Sequence, residues 1–267
     1  MNLHAISYEW QGFEPSLYVY DGGSGEVSEF DFRRVDYKVS HPVTCVGSWT
    51  EGKYKPCPRG RIVKGGNVCD DCARDFLPDP DCMFEPRCDG EECGMRFCGQ
   101  EHTVYIAFHG FITKVGLTAT KRLEQRMVEQ GADAYATVAM VKGRRSARTM
   151  EIAIADELVL RQRVRGIESL AAMREPCSED DIARDHAKLA DRLEPFDHRL
   201  SELRFLRDYP IELPLDGMPT SVKPGGQHSG KTVGVKGKFL VYENGGLKAL
   251  NMQYLVGRHI RATEAGP

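Results

Sequence analysis

The chain has 267 residues, 36 basic against 39 acidic side chains for a net charge of −3, and a 41% hydrophobic fraction. That length holds two or three modest domains with cores of their own, and the charge is too close to neutral for a general polyanion binder. No apolar run approaches the roughly 18–20 residues of a bilayer-spanning helix, and the start, MNLHAISYEW, lacks the basic and apolar regions of a secretory leader. We therefore expect a cytoplasmic protein with no membrane partner.

The charge is unevenly spread. Residues 1–111 carry 11 basic and 18 acidic side chains (net −7), and residues 112–165 carry 11 and 6 (+5). Residues 166–217 carry 7 and 13 (−6), and residues 218–267 carry 7 and 2 (+5). Positive charge thus collects in two segments, which suits local phosphate binding as well as it suits two solvated faces.

Residues 1–40 read as strands, with SLYVYDGGSGEVSEFDF forming a hairpin about its Gly-Gly-Ser-Gly turn. Residues 41–101 are rich in Cys, Gly, Pro and Asp and lack sustained periodicity, so they need another source of order. Eight of the nine cysteines fall here: Cys45, Cys57, Cys69, Cys72, Cys82, Cys88, Cys93 and Cys98. Cys69-Asp-Asp-Cys72 has the spacing with which two thiolates hold one tetrahedral ion. In a reducing compartment such a cluster favours structural zinc over disulfides, as one or two ions. His102 is an alternative ligand, and Cys177, beside Pro176, stands apart as a free thiol.

From residue 102 the pattern turns regular. TVYIAF and FITKVGL are two strands joined at His109-Gly110, and TATKRLEQRMVEQGA is a helix with Leu123, Met127 and Val128 on one side and Gly131 at its stop. AYATVAMV is a third strand. A longer helix is expected over 146–167, with Met150, Ile154, Leu158 and Arg161 at helical spacing. A helical extension fills 169–217, where Ser178 and Asp181 mimic a capping box. Residues 218–267 return to strands around a hairpin at Asn244-Gly245-Gly246. There Lys231, Lys236, Lys238 and Lys248 alternate with Phe239 and Tyr242, which we read as core residues of a sheet completed by the N-terminal strands.

Four motifs occur in order: Thr103-Val104-Tyr105, Lys114-Val115-Gly116, Lys121-Arg122-Leu123 and Ala147-Arg148-Thr149-Met150-Glu151. Over roughly residues 102–165 they resemble the GIY-YIG endonuclease fold. The resemblance implies a three-stranded antiparallel sheet with flanking helices, and a site that cleaves phosphodiesters. It implies that Tyr105 orients or deprotonates the attacking water, that Arg122 clamps the phosphate, and that Glu151 holds Mg²⁺ or Mn²⁺. Two positions depart from the pattern, Thr103 for a glycine and Lys114 for a tyrosine. Lys114 could hold phosphate, serve as a base, or mark a site that binds without cutting.

A wider resemblance spans nearly the whole chain. The cysteine-rich segment leading into HTVYIA, then KVGLT, EQGA and GVKGKFLVY, is similar to the family catalogued as domain of unknown function 2797, which implies an architecture rather than a chemistry.

The expected fold is thus α+β. An N-terminal β segment (1–40) and a C-terminal one (218–267) pack together. Between them lie a zinc-binding block (41–101), a GIY-YIG-like domain (102–168) and a helical extension (169–217). The expected function is metal-dependent nucleic-acid cleavage, with DNA and RNA equally open as substrate. Arg126, Lys142, Arg144, Arg145 and Arg148 border the groove and would contact the backbone, unless they form only a solvated face. The alternatives are a non-catalytic zinc-containing DNA- or RNA-binding protein and a zinc-stabilised protein-interaction module. Oligomeric state is not legible.

Overall fold

The structure, a computed structural model, describes residues 2–50, 52–73, 82, 85–92, 94–193 and 199–263. In chain order these form β1 (Leu3–Gln11), β2 (Glu14–Asp21), β3 (Glu26–Phe30), β4 (Asp36–Val39), β5 (Ser48–Thr50), β6 (Lys53–Lys55), α1 (Asp70–Ala73) and α2 (Arg96–Gly99). Next come β7 (Glu101–His109), β8 (Ile112–Ala119), α3 (Leu123–Gln130), β9 (Ala134–Lys142), α4 (Arg144–Leu158), α5 (Gly166–Arg174), α6 (Glu179–Leu193) and β10 (Arg204–Phe205). The chain ends with β11 (Thr220–Ser221), β12 (Gly226–Ser229), β13 (Lys231–Lys236), β14 (Phe239–Glu243), β15 (Leu247–Asn251) and β16 (His259–Ala262).

Two compact units result. The first comprises Met1–Pro80, Pro210–Glu212 and Pro219–Pro267, and the second Asp81–Tyr209 and Leu213–Met218. The cysteine-rich stretch is therefore shared between them. No helix among the described residues is long and apolar enough to cross a membrane.

In the first unit a six-stranded sheet runs β12-β4-β16-β1-β2-β3, so strands from the two ends of the chain pair directly. Alternation along the strands buries Ala5, Leu17, Val19, Tyr37, Val39 and Ile260. A second sheet, β11-β15-β14-β13, is built on the Asn244-Gly245-Gly246 hairpin and buries Phe239 and Tyr242. Its remaining strand is β11 rather than an N-terminal one, which corrects the expectation. The edges of β1 and β4 are already filled by β16 and β12.

In the second unit the sheet runs β10-β9-β7-β8, antiparallel throughout. The three expected strands are joined by the short β10. Central β7 is buried from His102 to His109. Val104, Ile106, Phe108 and Val115 face one way and form a core with Ile154 and Leu158 of α4 and Ile182, Leu189 and Leu193 of α6. Tyr105, Ala107, Lys114 and Gly116 share the opposite face by alternation. Ser178 caps α6 as expected, accepting from the Asp181 amide at 3.1 Å.

The helix expected over 146–167 stops at Leu158, where Val159 adopts a left-handed φ of 53°. Leu160 and Arg161 then run beside β8, an edge strand. Val115 N donates to Arg161 O at 2.9 Å, and Lys114 and Arg161 form a parallel bridge. Continuing the helix would leave that edge unpaired.

Candidate functional site

Two sets of chemistry-bearing side chains emerge, one in each unit. In the first, Cys45, Cys57, Cys69 and Cys72 bring their Sγ atoms within 4.8 Å of one another, the only such group of potential metal ligands among the described residues. Cys57 and Cys69 lie 3.9 Å apart. A disulfide needs about 2.05 Å. Thiolates on a tetrahedral zinc at about 2.3 Å stand roughly 3.8 Å from each other. The four cysteines are not disulfide-bonded.

The surroundings suit thiolates. Cys45 Sγ accepts from the amides of Cys69 at 3.2 Å and Gly47 at 3.4 Å. Burial pushes the Cys57 thiol up, but hydrogen bonds from the Arg61 and Arg59 amides and the neighbouring thiols more than offset this, leaving it at about 7. Burial raises Cys45 and Cys72 instead. An ion bound among these four sulfurs would take the place of their protons. The donor set therefore fits a tetrahedral ion such as zinc, with all four positions filled by protein.

The remaining expected ligands divide otherwise. Cys82, Cys88 and Cys98 belong to the second unit and are not part of this group, and Cys93 lies outside the described residues. His102 is buried, with Nδ1 2.9 Å from Gln100 O and the ring edge-on to Phe97.

In the second unit, Tyr105 lies opposite Gly116 across the β7–β8 pair. The phenol ring crosses that position so closely that a Cβ on residue 116 would lie 2.6 Å from Tyr105 Oη. Lys114, two residues earlier on β8, is 7% exposed and donates from Nζ to the same oxygen at 3.4 Å. Its ammonium stands 5.3 Å from the Tyr105 ring centroid. Gln130, the last residue of α3, donates to Tyr105 Oη at 3.0 Å. Tyr105 is only 1% exposed.

Glu151, on α4, is 6% exposed. Burial raises its carboxyl, while Arg148 and the more distant charge of Lys114 pull it down without prevailing. The Arg148–Glu151 pair is close, at 2.8 Å, yet burial outweighs it, and Arg148 has other partners too. Its guanidinium also binds Glu85 at 2.8 Å and Gln162 at 2.7 Å.

The other expected cations are largely committed within the chain. Arg122 and Arg126 both reach Glu129, at 3.0 and 3.5 Å. Arg144 donates to Cys82 O at 2.8 Å, and Arg145 to Arg87 O at 3.0 Å. Lys142, exposed at the end of β9, makes no ion pair among the described residues. Sequence reasoning missed Gln130, Glu85 and Glu129. Glu129 was legible, standing three residues after Arg126 on one helix face. Glu85 and Gln130 were not, because their partners depend on how separate segments dock.

A family model described as a protein of unknown function (DUF2797) matches residues 33–260. Comparison with curated proteins and with solved structures finds no match.

Proposed function

The chain belongs to the DUF2797 family, and from the geometry above we propose that its second unit is a GIY-YIG-like domain that cleaves phosphodiester bonds in nucleic acid. The observation that carries this reading is the burial of Lys114 against Tyr105, within reach of the charge of Glu151. Buried ionisable groups held so close together are costly to keep for stability alone. The order β9-β7-β8, with α3 and α4 following β8 and β9, supports the fold assignment.

In this reading Tyr105 Oη positions the attacking water, whose proton passes to solvent, and the ammonium of Lys114 beside that oxygen offsets the negative charge that develops as the proton leaves. Arg148 fixes the rotamer of Glu151, and Arg122, once it leaves Glu129, clamps the phosphate. Glu151 fits a hard dication. Its Oε2 is engaged by Arg148, burial leaves its charge undercompensated, and one carboxylate suffices for an ion that keeps most of its waters. Magnesium or manganese held there would neutralise charge on the phosphoryl oxygens.

A second reading, binding without cleavage, is favoured by the near-complete burial of Tyr105 and the pairing of Arg122 with Glu129. Zinc-loaded wild type and Glu151→Gln, incubated with labelled DNA and RNA pools in Mg²⁺ or Mn²⁺, separate the two. Cleavage by the wild type and none by the variant is expected. Salt-sensitive binding by both with no cut strand would establish the second reading instead.

A further inference from the structure

After α4 the chain turns at Val159, and residues 160–165 run as a strap to the start of α5. The strap is fixed where it passes β8. Lys114 and Arg161 form a parallel bridge, closed by the 2.9 Å bond from Val115 N to Arg161 O. Bridge partners share a face of the sheet, so Arg161 stands on the side of Lys114 and Tyr105. Its neighbours turn the other way. Leu160 packs against the core on the opposite face, and Gln162 Oε1 accepts from Arg148 at 2.7 Å. Two consecutive residues thus reach both halves of the proposed site. Arg161 lies beside Lys114, and Gln162 holds the guanidinium that pairs with Glu151.

Charge on the strap is one-sided. Residues 159–167 contain Arg161, Arg163 and Arg165 and no acid. All three arginines are exposed. Glu168 is the one carboxylate that meets them among the described residues, and it serves two, Arg161 at 2.5 Å and Arg165 at 2.6 Å. Arg163 makes no ion pair among the described residues. Three guanidiniums against one carboxylate leave two positive charges uncompensated, next to the buried ammonium of Lys114. Repulsion within such a group disfavours folding, so stability does not explain its placement.

We propose that this strap is the substrate-binding rim of the site, with Arg161 and Arg163 holding nucleic-acid backbone phosphates on one side of the scissile one. Guanidiniums suit the role, because their forked N–H groups match phosphate oxygens and keep their charge at any physiological pH. A polyanion that also carries the reactive phosphodiester is the ligand that uses strap and site together. Backbone contacts carry no sequence information, so the strap sets position without selecting sequence. Gln162, acting through Arg148, is a positioning residue. The inference rests on the proposed function for its ligand, yet holding phosphates needs neither Glu151 nor a dication.

The test uses the full zinc-loaded chain carrying Glu151→Gln, so that no strand is consumed. Labelled DNA and RNA, as duplexes and as single strands, are titrated by anisotropy at several salt concentrations. Arg163→Gln, which breaks no ion pair, should weaken binding about three- to tenfold and lower the slope of log affinity against log salt by roughly 0.7–0.9. Adding Arg161→Gln should bring the loss to at least about thirtyfold and roughly double the change in slope. The double variant to lysine, which keeps both charges, should stay within a few-fold of the parent. Lys188→Gln removes the same charge from α6, which packs on the opposite face of the sheet, and should change neither quantity. Absence of binding to every probe, full affinity in the double glutamine variant, or an equal loss in Lys188→Gln would overturn the proposal. Competition by polyglutamate as effective as by unlabelled nucleic acid of equal charge would also overturn it, marking a surface for acidic protein. Cleavage by the wild type with full affinity in the double variant would sink the strap and leave the proposed function standing. Strap-dependent binding without cleavage by the wild type would do the reverse.

Discussion

Glu151 shows how a single side chain couples stability to chemistry. Its raised carboxyl means that the folded protein holds a proton at pH values where an unfolded glutamate, near 4.5, has lost it. The stabilising contribution is therefore fully present below that value and disappears as pH rises through the raised one. Glu151→Gln, which cannot ionise, should gain stability relative to wild type as pH rises above the ordinary glutamate value and through the raised one. Denaturant midpoints of the two proteins across that range check this, and a constant difference would show that burial does not strain the carboxylate. The variant expected to lose cleavage is thus expected to be the more robust one at neutral pH, the usual pattern for a functional group buried at some cost. The positions of Tyr105, Lys114, Gly116 and Glu151 on their elements were legible, because motif order and strand alternation assign each to an element and the strand residues to a face. The contact from Gln130 was not, since it depends on how α3 lies across the sheet.

At the scale of elements, the start of α4 resolves an apparent conflict. Arg144, Arg145 and Arg148 place positive charge where the helix dipole is already positive. Acidic residues before the helix compensate. Asp89 accepts from the Ser146 amide at 3.0 Å and from its hydroxyl at 2.6 Å, acting as a cap supplied from another segment. Burial alone would raise the Asp89 carboxyl, but these bonds and the Arg145 amide hold it below its usual range. Asp89→Ala should cost about 1 kcal/mol and speed amide exchange in the first turn of α4 by roughly fivefold. Unchanged exchange there would mean that the helix start is satisfied without the cap. Helical periodicity made the core face of α4 legible through Ile154 and Leu158. It overran the C-terminus because Val159 breaks the helix for a tertiary reason, the open edge of β8, which local propensity does not encode.

For the whole molecule, the hairpins were legible from Gly-Gly-Ser-Gly and Asn-Gly-Gly, and the mixed α+β character from the change of period at residue 102. The pairing of β1 and β4 with β16 was foreseen only as association of the two ends, because pairing between remote strands leaves no local signature. The division of the cysteine-rich stretch between two units was not foreseen. Composition identified the ligand type, while the grouping of Cys45, Cys57, Cys69 and Cys72 depends on chain path.

The proposed phosphodiester site rests on Lys114 and Tyr105 together with Glu151. Single-turnover cleavage in Mn²⁺ should compare zinc-loaded wild type with Lys114→Met, which keeps length and burial but removes the cation. The variant should stay folded and zinc-loaded and cleave at least about a hundredfold more slowly. A folded Lys114→Met that cuts as fast as wild type, or a wild type that cuts nothing, would contradict it.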